Sequence, residues 1–280
     1  GLLRSAAANP GCLNDRRRST YRIGFRCPNK RGHLCSLMLI NNTSKTTAEI
    51  DVLVLCGGAG SRLRPLISDR PKGMALIGGR PFLDILVDDL LKQGFRRIIF
   101  CVGHLKEQII GRYKSRDDAE YLFSQEDVPL GTGGAVQNAL PLVRGDPFLV
   151  MNGDSLCRVD FERFYSFHQA KAANASFVLT QVDERHDGGV VRLDRTQEVH
   201  SFLEKSTAGG RDDCFINAGI YLLQRESIEF QVMTPPFSLE YDIFPKLVNT
   251  KRCFGFVVKS ELVDIGTPER YRKANEDHRR

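Results

Sequence analysis

Residues 51–64 read Asp-Val-Leu-Val-Leu-Cys-Gly-Gly-Ala-Gly-Ser-Arg-Leu-Arg. The first six are almost entirely apolar, which predicts a fully buried strand over 51–56. Gly57, Gly58 and Gly60 follow that strand directly. Ligands of open α/β sheets bind beyond the carboxyl ends of the strands, and glycines at such a place let backbone N–H groups approach an anion. The stretch therefore predicts an α/β fold with a candidate binding loop after its first strand.

Downstream of this loop, apolar runs alternate with segments of helical period. That alternation is typical of parallel sheets with helices on both faces, so the predicted fold class is α/β, with a Rossmann-like, mostly parallel sheet. The predicted helices are 81–93, 105–114, 133–140 and 161–173, and the predicted strands after the first are 97–102, 147–151 and 175–182. Beyond residue 183 the strand-like segments 190–193, 199–203, 215–223 and 254–258 predict an antiparallel extension over the open end of the sheet.

The charge of the chain is concentrated at its beginning. The chain has 280 residues and a net charge of +6, but residues 1–48 hold nine Lys and Arg against Asp15 alone. This basic arm, which we predict to be weakly ordered, carries the whole excess, and residues 49–280 form the predicted folded domain. A transit peptide or upstream sequence would each explain the arm. The near-neutral charge of residues 49–280 argues against a nucleic-acid-binding surface. These residues also lack the run of about 18 apolar residues that a membrane-spanning helix needs.

The eight cysteines include no Cys-x-x-Cys pair. We therefore expect buried structural thiols rather than a metal site, and a reducing, cytoplasmic location. His104 and His168 are predicted to be surface residues, and His186 to be a loop residue without a catalytic role.

Two cationic side chains strengthen the interpretation of the glycine loop as a phosphate-binding site. Arg62 ends the loop and Lys72 follows nearby, and both suit a triphosphate whose pyrophosphate gains charge as it leaves. A dinucleotide loop would need glycine in place of Leu63, which disfavours an NAD-dependent oxidoreductase, and a Walker loop would need Ser or Thr in place of Gly73. From the glycines alone, a plain tight turn is an equally good interpretation.

The run Gly57-Gly-Ala-Gly-Ser-Arg-Leu-Arg-Pro65, followed by Asp69-Arg-Pro-Lys72, resembles the signature of the sugar-phosphate nucleotidyltransferases. The resemblance extends from about residue 52 to residue 271. Further matching segments are Glu126 with Pro129-Leu-Gly-Thr132, Asn152-Gly-Asp154, Glu204-Lys205, Asn217-Ala-Gly219 and Asp264-Ile-Gly266. Within the family, Pro129–Ala135 and Phe237-Ser-Leu-Glu240 are most similar to enzymes that use D-glycero-D-manno-heptose 1-phosphate and GTP.

This resemblance implies attack of a sugar 1-phosphate on the α-phosphorus of a nucleoside triphosphate, with release of pyrophosphate and no covalent enzyme intermediate. It implies that Asp154 and Asp264 hold Mg²⁺, that Arg62 and Lys72 bind the triphosphate, and that Lys205 binds the incoming phosphate. The nucleotide-binding residues implied are Leu55, Gly57, Gly58, Gly60, Ser61, Glu126, Pro129, Gly131 and Thr132. The sugar-binding residues implied, in the antiparallel extension and beside Asp154, are Gly153, Glu204, Asn217 and Gly219.

The choice of base is assigned to Glu126. A carboxylate accepts both N–H donors of guanine, whereas uracil or thymine would favour an amide, so the sequence predicts GTP. A shift of one residue would give this role to Gln125. The chain departs from the family at Gly73, where proline is usual and where glycine is expected to loosen the backbone after Lys72, and at His186-Asp-Gly-Gly189.

Other functions stay open at this point. They are a guanylyl- or uridylyltransferase for mannose or another hexose 1-phosphate, and a non-catalytic subunit that binds nucleotide sugars. The retention of Arg62, Lys72, Asp154 and Asp264 together favours an enzyme. The predicted product serves lipopolysaccharide or another cell-surface glycan, and a homo-oligomer is compatible with the sequence.

Overall fold

The computed structural model describes residues 47–181, 189–203, 214–229 and 233–278. The basic arm up to residue 46 and His186 lie outside the described residues. The strands are β1 Val52–Leu55, β2 Leu76–Ile77, β3 Arg80–Pro81, β4 Arg97–Val102, β5 Glu120–Gln125, β6 Phe148–Asn152, β7 Ser155–Cys157, β8 Ala175–Gln181, β9 Val190–Leu193, β10 Val199–Leu203, β11 Cys214–Leu223, β12 Cys253–Val258 and β13 Leu262–Asp264.

The helices lie between these strands as the alternating pattern predicts. They are α1 Phe82–Lys92, α2 Lys106–Tyr113, α3 Gly131–Ala139, α4 Phe161–Ala170, α5 Glu226–Glu229, α6 Phe244–Thr250 and α7 Pro268–Asp277. A π-helical turn, Leu239–Ile243, precedes α6, and 3-10 turns span Thr47–Glu49, Lys72–Met74 and Leu140–Leu142. No described helix is long and apolar enough to cross a membrane.

One large mixed sheet organises the described domain. Its strand order is β10-β9-β11-β6-β1-β4-β5, with β8 paired to both β11 and β12. Strands β6, β1, β4 and β5 are parallel, and β1 is buried along most of its length. Strand β11 runs antiparallel to β6, β8 and β9 and begins the antiparallel part. The predicted α/β class with a mostly parallel sheet and an antiparallel extension is confirmed.

The structure corrects two predictions about strands. The segment 254–258 was expected in the antiparallel extension, but β12 runs parallel to β8. Strand β11 ends opposite Ala175, where β8 begins, and α5 and α6 return the chain to that same edge, so β12 also starts opposite Ala175. Strand β5 was not predicted at all. It is an edge strand whose residues are mostly half-exposed, so it lacks the continuous apolar run of a central strand.

Apolar side chains form three clusters in the described domain. Two large ones cover the two faces of the sheet, as expected for layered α/β packing. A third, which we call the small core, consists of Leu63, Ala75, Ile77, Phe82, Ile265 and Ala274. The small core joins the end of the glycine loop to the β2–β3 hairpin, to α1 and to α7, and thereby ties distant parts of the chain to one place.

His168 was predicted to lie on the surface, and this prediction is wrong. Its side chain is 1% exposed, and Nδ1 lies 2.9 Å from Ser176 Oγ. Phe161, Phe164 and His168 fall three and four positions apart on α4 and share its inward face. Burial lowers the pKa of His168 to about 4, so the imidazole is neutral in the folded protein at physiological pH.

The described cysteines are reduced thiols, and four of the five are buried as expected. Cys101, Cys157, Cys214 and Cys253 are buried, and Cys56 is half-buried at the end of the first strand. Burial, the larger cause, raises the pKa of Cys101 and of Cys253 to about 12, so both thiols pack as small apolar groups.

Candidate active site

A cavity of about 540 Å³ opens at the carboxyl ends of the parallel strands β1, β4, β5 and β6. This is the edge where open α/β sheets bind their ligands. The cavity is lined by every predicted site residue that the structure describes: Leu55, Gly57, Gly58, Gly60, Ser61, Arg62, Lys72, Glu126, Pro129, Gly131, Thr132, Gly153, Asp154, Asn217, Gly219 and Asp264. Glu204 and Lys205 lie outside the described residues.

The glycine loop is fixed at both ends by backbone hydrogen bonds. Cys56 N donates to Cys101 O at 3.0 Å, which extends the register of β1 against β4, and His104 N donates to Gly57 O at 3.0 Å. At the far end Leu63 N donates to Gly60 O at 2.9 Å, and the Leu63 side chain is 1% exposed in the small core. Arg62, the neighbour of this anchor, is therefore held on the cavity wall.

Lys72 reaches the cavity from a short 3-10 turn. Met74 N donates to Pro71 O at 2.8 Å, and Ala75 N donates to Lys72 O at 3.0 Å. Gly73 is buried, and a Cβ there would lie 3.0 Å from Gly153 O. The expectation that Gly73 loosens this segment is wrong, because the missing side chain allows close packing against Gly153.

Lys72 and two carboxylates meet on one wall of the cavity. Lys72 Nζ forms an ion pair with Asp154 Oδ2. A Cβ on Gly266 would lie 3.1 Å from Lys72 Nζ and 2.7 Å from Asp264 Oδ1, so the ammonium also lies near the second carboxylate.

The two aspartates, 110 positions apart in sequence, are brought together by the small sheet formed by β7 and β13. Asp264 pairs with Ser155, the residue after Asp154, and Ile265 N donates to Asp154 O at 3.1 Å. Asp264 Oδ1 accepts from Gly266 N, and its Oδ2 accepts from Arg270 Nη1 at 2.6 Å.

This pair of carboxylates fits a divalent cation that takes only part of its shell from the protein. Mg²⁺ prefers oxygen ligands and is usually held by one or two carboxylates together with waters and substrate phosphates. Among the described residues no group of three or more His, Cys, Asp and Glu could hold a metal. Asp154 and Asp264 therefore suit a metal that is bound with a phosphate substrate, and not a closed structural site.

Glu126 lies directly after β5 and beside Gly57, at the start of the glycine loop, whereas Lys72 lies beside Gly60. Its Oε2 accepts from Leu130 N at 3.2 Å, and a Cβ on Gly57 would come within 2.5 Å of Oε1. The carboxylate thus sits against the loop that follows the first strand, whereas the neighbouring Gln125 is exposed and does not line the cavity. Burial raises the pKa of Glu126, and the hydrogen bond from Leu130 N partly opposes that effect.

The far wall of the cavity carries a hydrogen-bonded group of side chains. Asn217 Nδ2 donates to Tyr221 Oη at 2.8 Å, and Tyr221 Oη donates to Glu240 Oε1 at 3.4 Å. Glu240 Oε2 accepts from Thr132 Oγ1 at 2.6 Å. The group connects Thr132, predicted to bind nucleotide, with Asn217, predicted to bind sugar.

Sequence reasoning gave no role to Glu240 or Arg270. Glu240 lies in the segment that carried the finer resemblance, and only its contact with Thr132, 108 positions away, shows that it faces the cavity. Arg270 is the third residue of α7, in its first turn, and the helix-start signals before it, the N-cap Thr267 and Pro268 at the first position, are visible in the sequence.

Cys56, like Cys101, lines the cavity. Its Sγ contacts Cys101 O at 3.2 Å, and burial, the largest cause, raises its pKa well above the ordinary value. A nucleophilic cysteine needs a lowered pKa, so the surroundings of Cys56 do not activate it.

The model of the nucleotidyl transferase family matches residues 51–280. The chain is 32% identical over 229 residues to D-glycero-alpha-D-manno-heptose 1-phosphate guanylyltransferase of Aneurinibacillus thermoaerophilus, covering 81% of this chain and 98% of that relative. It is 34% identical over 227 residues to mannose-1-phosphate guanyltransferase of Debaryomyces hansenii, covering 78% of this chain and 61% of the yeast protein's length.

Among solved structures, HddC from Yersinia pseudotuberculosis in complex with GMP-PN is similar to the chain. The identity is 35% and the TM-score 0.71, and the match covers 81% of this chain and 99% of that one. A family model that matches most of the chain, relatives above 30% identity and a shared fold agree with one another. The chain belongs to the nucleotidyl transferase family.

Proposed function

We propose that this chain transfers GMP from GTP to a sugar 1-phosphate, for which D-glycero-D-manno-heptose 1-phosphate is the favoured acceptor, and that pyrophosphate is released. The observation that carries the proposal is the single cavity in which the glycine loop, Lys72, the Asp154–Asp264 pair and Glu126 meet. A loop for phosphates, a carboxylate pair for a cation and a carboxylate for a base are the parts that this reaction needs. The region 49–280 is the proposed catalytic domain.

The proposed reaction is a direct displacement. An oxygen of the sugar phosphate forms a bond to the α-phosphorus, and the bond from that phosphorus to the oxygen bridging to the β-phosphorus breaks. The electron pair of the broken bond leaves with pyrophosphate. A sugar phosphate is already ionised at neutral pH, so positioning and charge neutralisation supply most of the rate enhancement.

The cations of the cavity have separate roles in this proposal. Arg62 and Lys72 stabilise the triphosphate and the charge that grows on pyrophosphate. Lys205, which lies outside the described residues, holds the incoming phosphate. Lys72, now paired with Asp154, lies where it can turn between that carboxylate and a bound phosphate.

Asp154 and Asp264 are the residues that would hold Mg²⁺. Bound there, the ion would neutralise phosphate charge and polarise the α-phosphoryl group. Arg270 keeps Asp264 in place through its 2.6 Å hydrogen bond, and the backbone N–H of Gly266 does the same from the other oxygen.

Glu126 is the proposed reader of guanine. The N1–H and N2–H₂ groups of guanine are donors that an ionised carboxylate accepts, and Glu126 lies against the glycine loop that would hold the phosphates. The bound GMP-PN in the solved HddC structure also favours a guanine nucleotide.

The sugar is proposed from the segments around Thr132 and Glu240. These segments carried the resemblance to heptose guanylyltransferases, and they touch each other on the cavity wall through the 2.6 Å hydrogen bond between the two side chains. Mannose 1-phosphate is the second candidate, since the yeast mannose-1-phosphate guanyltransferase is 34% identical to the chain. We propose a cytoplasmic location because reduced thiols suit a reducing compartment.

Pyrophosphate release, measured with each nucleoside triphosphate and with heptose and hexose 1-phosphates, tests the proposal. The expected result is release with GTP in the presence of Mg²⁺ and an acceptor sugar phosphate, most efficiently with the heptose. Efficient release with UTP or dTTP but not with GTP would contradict the assignment of the base. Preference for mannose 1-phosphate would replace the favoured sugar with the second candidate.

A further inference from the structure

Glu240 is a carboxylate on the wall of the active-site cavity, and the proposed function assigns no ligand group to it. In the described part of the chain the side chains that hydrogen-bond to its carboxylate are all hydroxyls: Thr132, Ser238 and Tyr221. None of these donors is a cation, so among the described residues no ion pair occupies this carboxylate. Such a group is suited to accept further hydrogen bonds from a ligand.

The backbone that carries Glu240 is fixed against the start of α3. Phe237 N donates to Leu130 O at 3.0 Å, and Gly133 N donates back to Phe237 O at 3.0 Å. Ser238 caps the π-helical turn, because its Oγ accepts from Glu240 N at 3.1 Å. The position of the carboxylate is therefore set by the fold before any ligand binds.

The two oxygens of Glu240 differ in how fully they are used. Oε2 accepts from Thr132 Oγ1 at 2.6 Å and from Ser238 Oγ at 2.8 Å. Oε1 has only the 3.4 Å contact with Tyr221 Oη among the described residues. A carboxylate oxygen has room for about two hydrogen bonds, so the unused capacity is on Oε1.

Oε1 faces the part of the cavity where Asn217 lies. Tyr221 Oη is shared between Glu240 Oε1 and Asn217 Nδ2, and Asn217 Oδ1 accepts from Gly219 N at 3.0 Å. The amide of Asn217 is thereby oriented, and it retains one N–H beyond the one given to Tyr221. An oriented amide donor and a carboxylate acceptor thus lie side by side on one wall.

From this geometry we propose that Glu240 Oε1 accepts a hydrogen bond from a hydroxyl group of the sugar 1-phosphate and that Glu240 is a specificity-determining residue of the site. The inference rests on the proposed function. A carboxylate repels phosphate, so Glu240 also favours binding with the hydroxyls toward Asn217 and the phosphate toward the cationic wall. The ligand group is a hydroxyl because hydroxyls are the hydrogen-bond donors that a sugar 1-phosphate offers to a carboxylate acceptor.

The substitution Glu240→Gln tests the role with little change of shape. Thr132 and Ser238 can keep their hydrogen bonds to an amide, since a hydroxyl both donates and accepts. We expect the KM for the sugar 1-phosphate to rise about tenfold to a hundredfold, while the KM for GTP stays within about twofold. Glu229→Gln, an exposed glutamate at the end of α5, is the matched control and should leave both constants unchanged.

Sugar analogues that lack one hydroxyl make the test sharper. The wild type should reject one of them strongly, because a buried acceptor is left without its donor, and E240Q should lose most of that discrimination. Glu240→Asp, which keeps the charge but shortens the reach, should raise the same KM and serves if the glutamine variant does not fold.

Two results would overturn the assignment. One is an active wild type whose sugar KM is unchanged in both variants, and the other is an increase in the KM for GTP instead, which would place Glu240 on the nucleotide. A wild type that releases no pyrophosphate with any sugar 1-phosphate would overturn the proposed function itself, so the two failures are distinguishable.

Discussion

Glu126 shows how one residue can carry the choice of nucleotide. Its carboxylate must be ionised to accept both guanine donors, and burial raises its pKa. As the solution is acidified, Glu126 therefore takes up its proton at a higher pH than an exposed glutamate does. The carboxylate accepts guanine above the raised pKa and fails to do so below it.

The prediction is that the KM for GTP rises as the pH falls through the raised pKa of Glu126. Glu126→Gln should remove this pH dependence and weaken the use of GTP relative to UTP or dTTP. Steady-state kinetics with each nucleotide over a pH series check both points. An unchanged nucleotide preference in E126Q would remove the base-reading role from this residue.

At the residue scale, sequence alone located most of the cavity lining. The glycines after a buried strand, together with a lysine and two aspartates in segments that match the family, were enough to locate it. Residues of these types in these segments point to phosphate and cation binding. Glu240 and Arg270 were not found, because their roles depend on contacts with Thr132 and Asp264 that only the fold creates. Glu204 and Lys205 remain predictions.

The start of α3 illustrates how an element is fitted to the site. Gly131 has a φ of +75°, and a Cβ there would collide with the carbonyl oxygen of Phe237. The close approach of Gly131 to Phe237 O lets the segment that bears Glu240 pack against the start of α3. Gly111, on the exposed side of α2, has nothing within 4 Å of the corresponding position.

The two glycines therefore make a matched pair for substitution. Gly131→Ala should lower the free energy of unfolding by about 2 kcal/mol and impair activity, because it combines a disfavoured φ with a clash. Gly111→Ala should raise that free energy by about 1 kcal/mol and leave activity unchanged. Urea unfolding measures both, and equal effects of the two substitutions would contradict the proposed packing of α3.

His168 gives α4 a pH-sensitive anchor. Its pKa is lowered to about 4 in the folded state against about 6.5 in the unfolded chain, and its Nε2 has no hydrogen-bond partner in the described structure. Between these values the unfolded chain binds a proton that the folded protein does not. The contribution of His168 to the free energy of unfolding is therefore complete above pH 6.5. It decreases as the pH falls toward 4, by about 3 kcal/mol at most.

We expect His168→Gln to flatten the pH dependence of the unfolding free energy between pH 4 and 6.5. His200→Gln, whose imidazole is 64% exposed, should retain the wild-type slope. Chemical unfolding at several pH values is the measurement. A His168→Gln slope equal to that of the wild type would show that another group controls acid sensitivity.

At the element scale, the sequence predicted the central helices and strands well and the peripheral ones poorly. Strand β5 is half-exposed at the edge, and α7 has only Ala274 buried, so neither has the apolar period on which prediction relies. The direction of β12 depends on α5 and α6 returning the chain to the sheet edge where β8 begins, which the local pattern of residues does not encode.

The whole molecule brings the catalytic groups together through its small core and C-terminal helix. Tyr271 Oη donates to Leu76 O at 2.8 Å, and Asn275 Oδ1 accepts from Gly78 N at 3.2 Å, so α7 docks on the hairpin that follows Lys72. The same helix carries Arg270, which holds Asp264. Lys72 and Asp264 are therefore positioned by one set of contacts, although they are far apart in the sequence.

The most direct test of the account is magnesium-dependent pyrophosphate release from GTP and a heptose 1-phosphate by the wild type, by Asp154→Asn and by Asp117→Asn, an exposed aspartate. We expect Asp154→Asn to lower kcat/KM by about a hundredfold or more while it remains folded, and Asp117→Asn to match the wild type. Full activity of Asp154→Asn, or release of pyrophosphate without an acceptor sugar, would contradict the account.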